Sequence, residues 1–169
     1  GFSKAPSEID EDVYDHIFQH AEVLVIGGGA AGMSAALEVL SSSKKARVIL
    51  VDERENLGGE LTNEFTTDQA ATLWYQETKD RLLKYRDEAG SRLKILTSAT
   101  AYAWYDHNYI EVLQTIGTGQ SMIHKGVQSA RKVLHKIRTK EVILATGAHE
   151  RPMLFETNDL ANIMLSQSV

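Results

Sequence analysis

The sequence predicts an α/β fold in which a parallel sheet is interrupted by an antiparallel β-meander. Three observations carry this reading. An aliphatic run, Val23 to Ile26, opens directly into Gly27-Gly-Gly-Ala-Ala-Gly32. A second run, Arg47 to Val51, ends in Asp52-Glu53. Between Ala99 and Lys140, short strand-like runs alternate with turn-formers before a last apolar run, Glu141 to Ala145.

The first run has the β-branched, aliphatic texture of a buried parallel strand. Its glycines fit G-x-G-x-x-G at Gly27, Gly29 and Gly32. Gly27 permits a tight turn out of the strand, Gly29 lets backbone approach a pyrophosphate, and Gly32 lets the following helix pack close. That helix is expected from about Ala30 to Leu40. A phosphate is favourable at its N-terminus, where unpaired N–H groups and the positive end of the dipole converge. Asp52 follows Gly32 by twenty residues, where a carboxylate can accept hydrogen bonds from adenosine ribose hydroxyls and repel a 2′-phosphate. Strand, glycine turn, helix, strand and acid together define a Rossmann-like dinucleotide-binding unit, which the glycines alone do not.

Taken in order, Gly1 to Val13 reads as a linker and Tyr14 to Val169 as part of a dinucleotide-binding domain. His16 and His20, four apart, would share a helix face, but no third ligand accompanies them, so packing or surface roles are expected and no metal site. Ser41 to Lys45 is the polar turn back into the sheet. Leu57-Gly58-Gly59 marks a glycine pair after the second strand. Asp68 to Ala89 reads as an amphipathic helix, N-capped by Asp68 and stopped at Gly90, with Leu73, Trp74, Leu82, Leu83 and Tyr85 apolar and Trp74 in the core. Leu93 to Leu96 is a third parallel strand. Ala101 to Tyr105, Tyr109 to Thr115 and Ala130 to Ile137 form the meander. The Glu141 to Ala145 strand, ending in Thr146-Gly147, brings the chain back to the cofactor.

Composition narrows the partners. The chain has 169 residues, 43% hydrophobic and 24% charged, with a net charge of −5. These are the values of a soluble globular protein, with no basic excess for nucleic acid or an anionic membrane. No apolar run approaches the roughly 20 residues that span a bilayer. The chain has no cysteine, which excludes a disulfide or dithiol centre within it and suits a cytoplasmic setting.

Several stretches resemble one family. Tyr14-Asp-His16, the glycine turn and Val48-Ile-Leu-Val-Asp-Glu-Arg-Glu-Asn-Leu-Gly-Gly59 are similar to the α subunit of heterotetrameric sarcosine oxidase. So are Tyr105-Asp-His-Asn-Tyr109, Val142-Ile-Leu-Ala-Thr-Gly-Ala-His-Glu-Arg-Pro-Met153 and Asn158-Asp159, which are more specific. The opine-oxidase and cyanide-synthase type subunits share the likeness, which runs from Tyr14 to Val169. It implies the glutathione-reductase-like FAD/NAD(P)-binding fold, incomplete here, and a multi-subunit oxidoreductase acting on CH–NH donors. In that family NAD binds this fold, FMN and FAD lie with partner subunits, and tetrahydrofolate binds a module absent from this chain. FAD is the alternative occupant of the present site.

Carried over by position, Gly27, Gly29 and Gly32 would hold the pyrophosphate. Asp52 would take the ribose, with Glu53 as runner-up. Gly58 and Gly59 would line the path onward, and Ala145, Thr146 and Gly147 would approach from the sheet end. Arg54 and Arg151 would add charge toward phosphate or a subunit. His107 and His149 are expected to be structural, and no catalytic residue is assigned. A helix is expected over Asn162 to Val169. Met153, Leu154, Phe155, Ile163, Met164 and Leu165 are the apolar residues expected to lie exposed, so that the isolated chain is expected to self-associate or to have a disordered C-terminus, and no sarcosine turnover is expected of it. Two other readings stay open: an FAD-binding half-domain of an opine or amine dehydrogenase subunit, and a non-catalytic nucleotide-bound scaffold.

Overall fold

The computed structural model describes residues 14–62, 68–88, 90–116, 131–148 and 151–164. The expected linker, His149, Leu165 and most of the expected C-terminal helix lie outside these; residues 162–164 are turn and coil. The elements are β1 (Tyr14–Ile26), α1 (Ala30–Ser42), β2 (Val48–Val51), a 3₁₀ turn (Gly59–Thr62), α2 (Gln69–Asp87), β3 (Leu93–Leu96), β4 (Ala99–Tyr105), β5 (Tyr109–Thr115) and β6 (Lys132–Leu144).

The six described strands join one sheet in the order β3-β2-β1-β6-β5-β4. β3, β2, β1 and β6 run parallel, and β6, β5 and β4 continue antiparallel. β3 and β4 lie at opposite edges, yet only Thr97 and Ser98 separate them in the chain. The sheet therefore folds over on itself. Ala99 N–H donates to the Asp52 carbonyl and Ser98 N–H to the Arg54 carbonyl, so the start of β4 is tied to the end of β2.

This curl creates two cores. On one face Val25, Val48, Leu50 and Leu93 pack against Met33, Ala36, Leu37 and Leu40 of α1 and Leu82 of α2. The buried α1 positions follow the helical period, and alanine and glycine among them let the helix lie close to the sheet. On the other face Leu24, Ile49, Val51 and Leu96 meet Ala99, Ile110, Val112 and Ile137 of the folded-over meander.

Three expectations are corrected. The segment from Tyr14 is the first half of β1, not a helix. His16 and His20 are therefore about 13 Å apart along a strand, too far to share a metal ion. The expected strands over residues 130–137 and 141–145 are one continuous β6, paired to β1 in a single register from Lys132 to Leu144; the polar residues Arg138 to Lys140 do not break it because Arg138 and Thr139 pair with His20 and Ala21 of β1 and Glu141 resumes the same register with Val23. Trp74 is 37% exposed rather than in the core, because α2 buries only Thr78 and Leu82 fully. Asp68 does cap α2, accepting from the N–H groups of Ala70 and Ala71. The far end of α1 is finished by Arg92, which donates to the carbonyls of Leu40, Ser43 and Ala46. Met153, Leu154, Phe155, Ile163 and Met164 are exposed as expected.

A polar cluster lies inside the curl. His135 is buried; its Nδ1 accepts from Gln19 at 2.6 Å and its Nε2 donates to Gln114 Oε1 at 2.9 Å. Burial, with the Lys94 ammonium adding to it and Asp15 opposing, pushes its pKa down to about 4 from 6.5. Above pH 6.5 the ring is neutral both folded and unfolded. As pH falls below that, the unfolded chain takes up a proton that the folded ring refuses. Stability should then decline until about pH 4, by up to about 3 kcal/mol. Urea melts at pH 7.5 and pH 5 should show the loss, and His135→Gln should reduce this pH dependence.

Candidate functional site

A cleft of about 630 Å³ opens where β1, β2 and β6 end, between the glycine turn and the start of β4. Crevices at the carboxyl ends of parallel strands are where open α/β sheets bind ligands. The glycines around it differ in what makes them necessary. Gly27 has φ +106°, and a Cβ there would stand 2.1 Å from the Ala145 carbonyl oxygen. A Cβ on Gly32 would stand 1.7 Å from the Gly27 carbonyl oxygen. These two positions are glycine because the turn, α1 and the end of β6 touch backbone to backbone.

Gly29 is different. Its φ is −73°, which any residue adopts, and the nearest atom to its would-be Cβ is Gly59 Cα at 3.9 Å. Among the described residues nothing demands glycine there. It caps α1 without a side chain, so the first helical N–H groups open onto the cleft. A cradle that a Cβ would fill, at a helix N-terminus, suits a pyrophosphate.

A second glycine turn backs the first. Gly58 N–H donates to the Gly28 carbonyl at 2.8 Å, and Gly58 bridges Gly29 in a parallel β-bridge. Gly59 has φ +56°, and a Cβ on it would meet Gly29 Cα at 3.0 Å. Tyr75 of α2 braces this turn by donating its hydroxyl hydrogen to the Leu57 carbonyl at 2.9 Å. Arg54 closes the loop: its guanidinium donates to the Gly59 carbonyl and to Glu60 Oε1, each at 2.8 Å.

Asp52 is buried at the end of β2. One carboxylate oxygen accepts from Gly28 N–H and the other from Arg54 N–H. The carboxylate thus holds the glycine turn against the 54–60 loop, and each oxygen keeps a further lone pair for a ligand hydroxyl. Glu53 lines the cleft beside it and is exposed. Asp52→Asn would set an NH₂ or a lone acceptor against two donors. It should weaken dinucleotide binding tenfold or more and lower stability by about 1–3 kcal/mol; Glu53→Gln should weaken binding without moving the melting temperature. Calorimetric titration paired with a thermal melt separates the two.

Of the sequence-derived residues, Gly27, Gly29, Asp52, Glu53, Arg54, Gly58, Gly59, Ala145, Thr146 and Gly147 line the cleft. Gly32 lies beneath it, in the packing of α1. Arg151 is exposed and is not among the described lining residues, which on this strand end run to Ala148. His107 sits with positive φ in the β4–β5 hairpin, outside the cleft lining. The sequence reading missed Gly28, whose N–H holds Asp52, and the opposite wall, formed by Ala99, Thr100 and Ala101 of β4. The third consecutive glycine was a signal for the first; the wall had none, since only the curl of the sheet brings β4 here.

The fold and cleft are those of a dinucleotide-binding oxidoreductase, and residues 21–166 match the family model described as pyridine nucleotide-disulphide oxidoreductase. The chain belongs to that family, although without cysteine it holds no redox disulphide of its own. Within it, the chain is similar to the sarcosine oxidase α subunits of Corynebacterium sp. strains U-96 and P-1, at 39% identity over 97% of the chain and 38% over 95%. It spans only 16% of the length of either. Among solved structures it is similar to L-proline dehydrogenase from P. horikoshii, with a TM-score of 0.55 and 26% identity, covering 91% of this chain and 28% of that one. No described helix is long and apolar enough to cross a membrane.

Proposed function

We propose that residues 14–169 are the NAD-binding part of the α subunit of a sarcosine-oxidase-like amine oxidoreductase, with residues 1–13 a linker, working with other subunits in the cytoplasm. The single observation that carries dinucleotide binding is Gly29, a glycine required by no contact among the described residues, at the mouth of a helix N-terminus. The similarity to sarcosine oxidase α subunits over nearly the whole chain carries the choice of substrate class.

In this reading the α1 N-terminus and the Gly27–Gly29 turn take the pyrophosphate. Asp52 and Glu53 take the adenosine ribose, and their negative charge disfavours a 2′-phosphate. Gly58 and Gly59 back the turn, while Ala145, Thr146 and Gly147 flank the path toward the other end of the dinucleotide. When bound, the dinucleotide supplies two-electron redox chemistry. The residues of this chain bind and orient it. Oxidation of sarcosine itself, the FMN and FAD of partner subunits and a tetrahydrofolate module belong to the proposed whole assembly.

FAD shares the adenosine diphosphate half of NAD and is the alternative occupant. Mass spectrometry of the small molecule that co-purifies with the protein tests the choice, together with its colour, since bound flavin is yellow and NAD is not. Recovery of NAD supports the proposal. Stoichiometric FAD in this cleft replaces it with the flavin reading, and no affinity for either dinucleotide removes both.

A further inference from the structure

The outer face of the meander gathers aromatic and cationic side chains into rows. α1 covers the sheet over the second half of β1, where Val23 and Val25 join the helix-side core. Over the first half, the same face carries Tyr14, His16, Phe18 and His20, all exposed. Their strand partners on β6 are Lys132, Leu134, Lys136 and Arg138, and β5 continues the rows with Thr115, Leu113, Glu111 and Tyr109. Tyr105 pairs with Tyr109 at the outer edge, their ring centroids 5.8 Å apart.

Two of the cations rest on aromatic rings. Lys136 Nζ lies 5.3 Å from the centroid of the Phe18 ring, and the Arg138 guanidinium 5.7 Å from that of Tyr109. Lys132, Lys136 and Arg138 form no ion pair among the described residues. The acid of these rows, Glu111, sits opposite Lys136 but accepts the Tyr102 hydroxyl hydrogen at 2.8 Å. Phe18 is 71% exposed, and Tyr102 and Tyr105 are about half exposed. A chain of net charge −5 thus gathers three cations and a set of exposed rings on one face of the sheet.

We infer that this meander face docks a partner subunit of the assembly through a surface that presents carboxylates around an apolar centre. The inference rests on the multi-subunit reading above. Rings that hold cations in place give a rigid, pre-organised surface, and aromatic and arginine side chains are the usual anchors of protein interfaces. Charge complementarity selects the occupant. A second copy, docked about a two-fold axis, would set the row of Lys132, Lys136 and Arg138 against itself, and like charges juxtaposed cost affinity. A nucleic acid would meet the repulsion of the chain's net negative charge.

The test uses the full-length subunit in its purified assembly. Carbodiimide treatment joins lysine amines directly to carboxylates in contact, and mass spectrometry identifies the joined peptides. Peptides carrying Lys132 or Lys136 should be joined to Asp or Glu of another subunit. The pair Lys132→Glu and Lys136→Glu should weaken subunit association at least tenfold and leave dinucleotide affinity unchanged. The inference is overturned if these lysines join only to carboxylates of their own polypeptide. It is equally overturned if they acetylate freely within the assembly, or if the charge-reversed pair loses a bound polynucleotide instead of a subunit. Subunit composition is measured first. A protein that purifies with no stoichiometric second chain sinks the multi-subunit reading, and the docking proposal with it; a second chain that fails to join these lysines sinks the docking proposal alone.

Discussion

Gly29→Ala should leave the chain folded and weaken dinucleotide binding at least tenfold, and Gly29→Val should abolish it. The alanine Cβ meets nothing closer than 3.9 Å among the described residues, and the backbone at 29 already has an ordinary φ. Alanine is a poorer helix N-cap than glycine, so a cost of up to about 1 kcal/mol and a small drop in the thermal midpoint are expected for alanine, without loss of the fold. The added carbon stands instead where a pyrophosphate would approach the first N–H groups of α1. A hydrogen bond from backbone N–H to a charged oxygen contributes roughly 1.5–3 kcal/mol. Losing one costs tenfold to a hundredfold in affinity, and losing two removes measurable binding. Calorimetric titration with NAD and with FAD, alongside melting curves, reads both halves of the expectation. Unchanged affinity for both would mean that no phosphate lies against this turn.

Gly32→Ala should do the reverse and strike the fold itself. Its Cβ would lie 1.7 Å from the Gly27 carbonyl oxygen and 2.9 Å from the carbonyl carbon. Both atoms are backbone, held by the Gly27 N–H bond to the Val51 carbonyl and by the Ala145 N–H bond to the Ile26 carbonyl, each 2.8 Å. No rotamer change relieves the overlap, so α1 would have to move off the sheet, disturbing the packing of Met33, Ala36 and Leu37 against Val25 and Leu50. Overpacking that side chains can absorb costs about 1–3 kcal/mol; here at least about 3 kcal/mol is expected, a large part of the stability of an ordinary domain. Urea unfolding should show the midpoint displaced far downward or no folded baseline. A native-like melt would mean that the β1–α1 turn is looser than its contacts indicate.

The sequence by itself determined whatever local chemistry decides. The β1–α1–β2 unit is legible because an aliphatic run, a glycine turn and an acid act over neighbouring residues, and the cap of α2 because Asp68 bonds N–H groups two and three residues on. Most cleft residues follow, since they lie at the ends of those same strands. Only the tertiary structure decided the rest, where partners are remote in the chain. Tyr14 to Ala21 is an ambiguous polar and apolar segment until it pairs with β6, more than a hundred residues away, which makes both strands long. Arg92 finishes α1, and His135 finds Gln19 and Gln114, only after the sheet has formed. Trp74 stays exposed because α2 has few residues to bury against the described core. The β4 wall of the cleft and the cationic face of the meander both arise from the curl of one sheet. Propensity and spacing act along the chain, whereas this curl is fixed by which apolar faces meet across it.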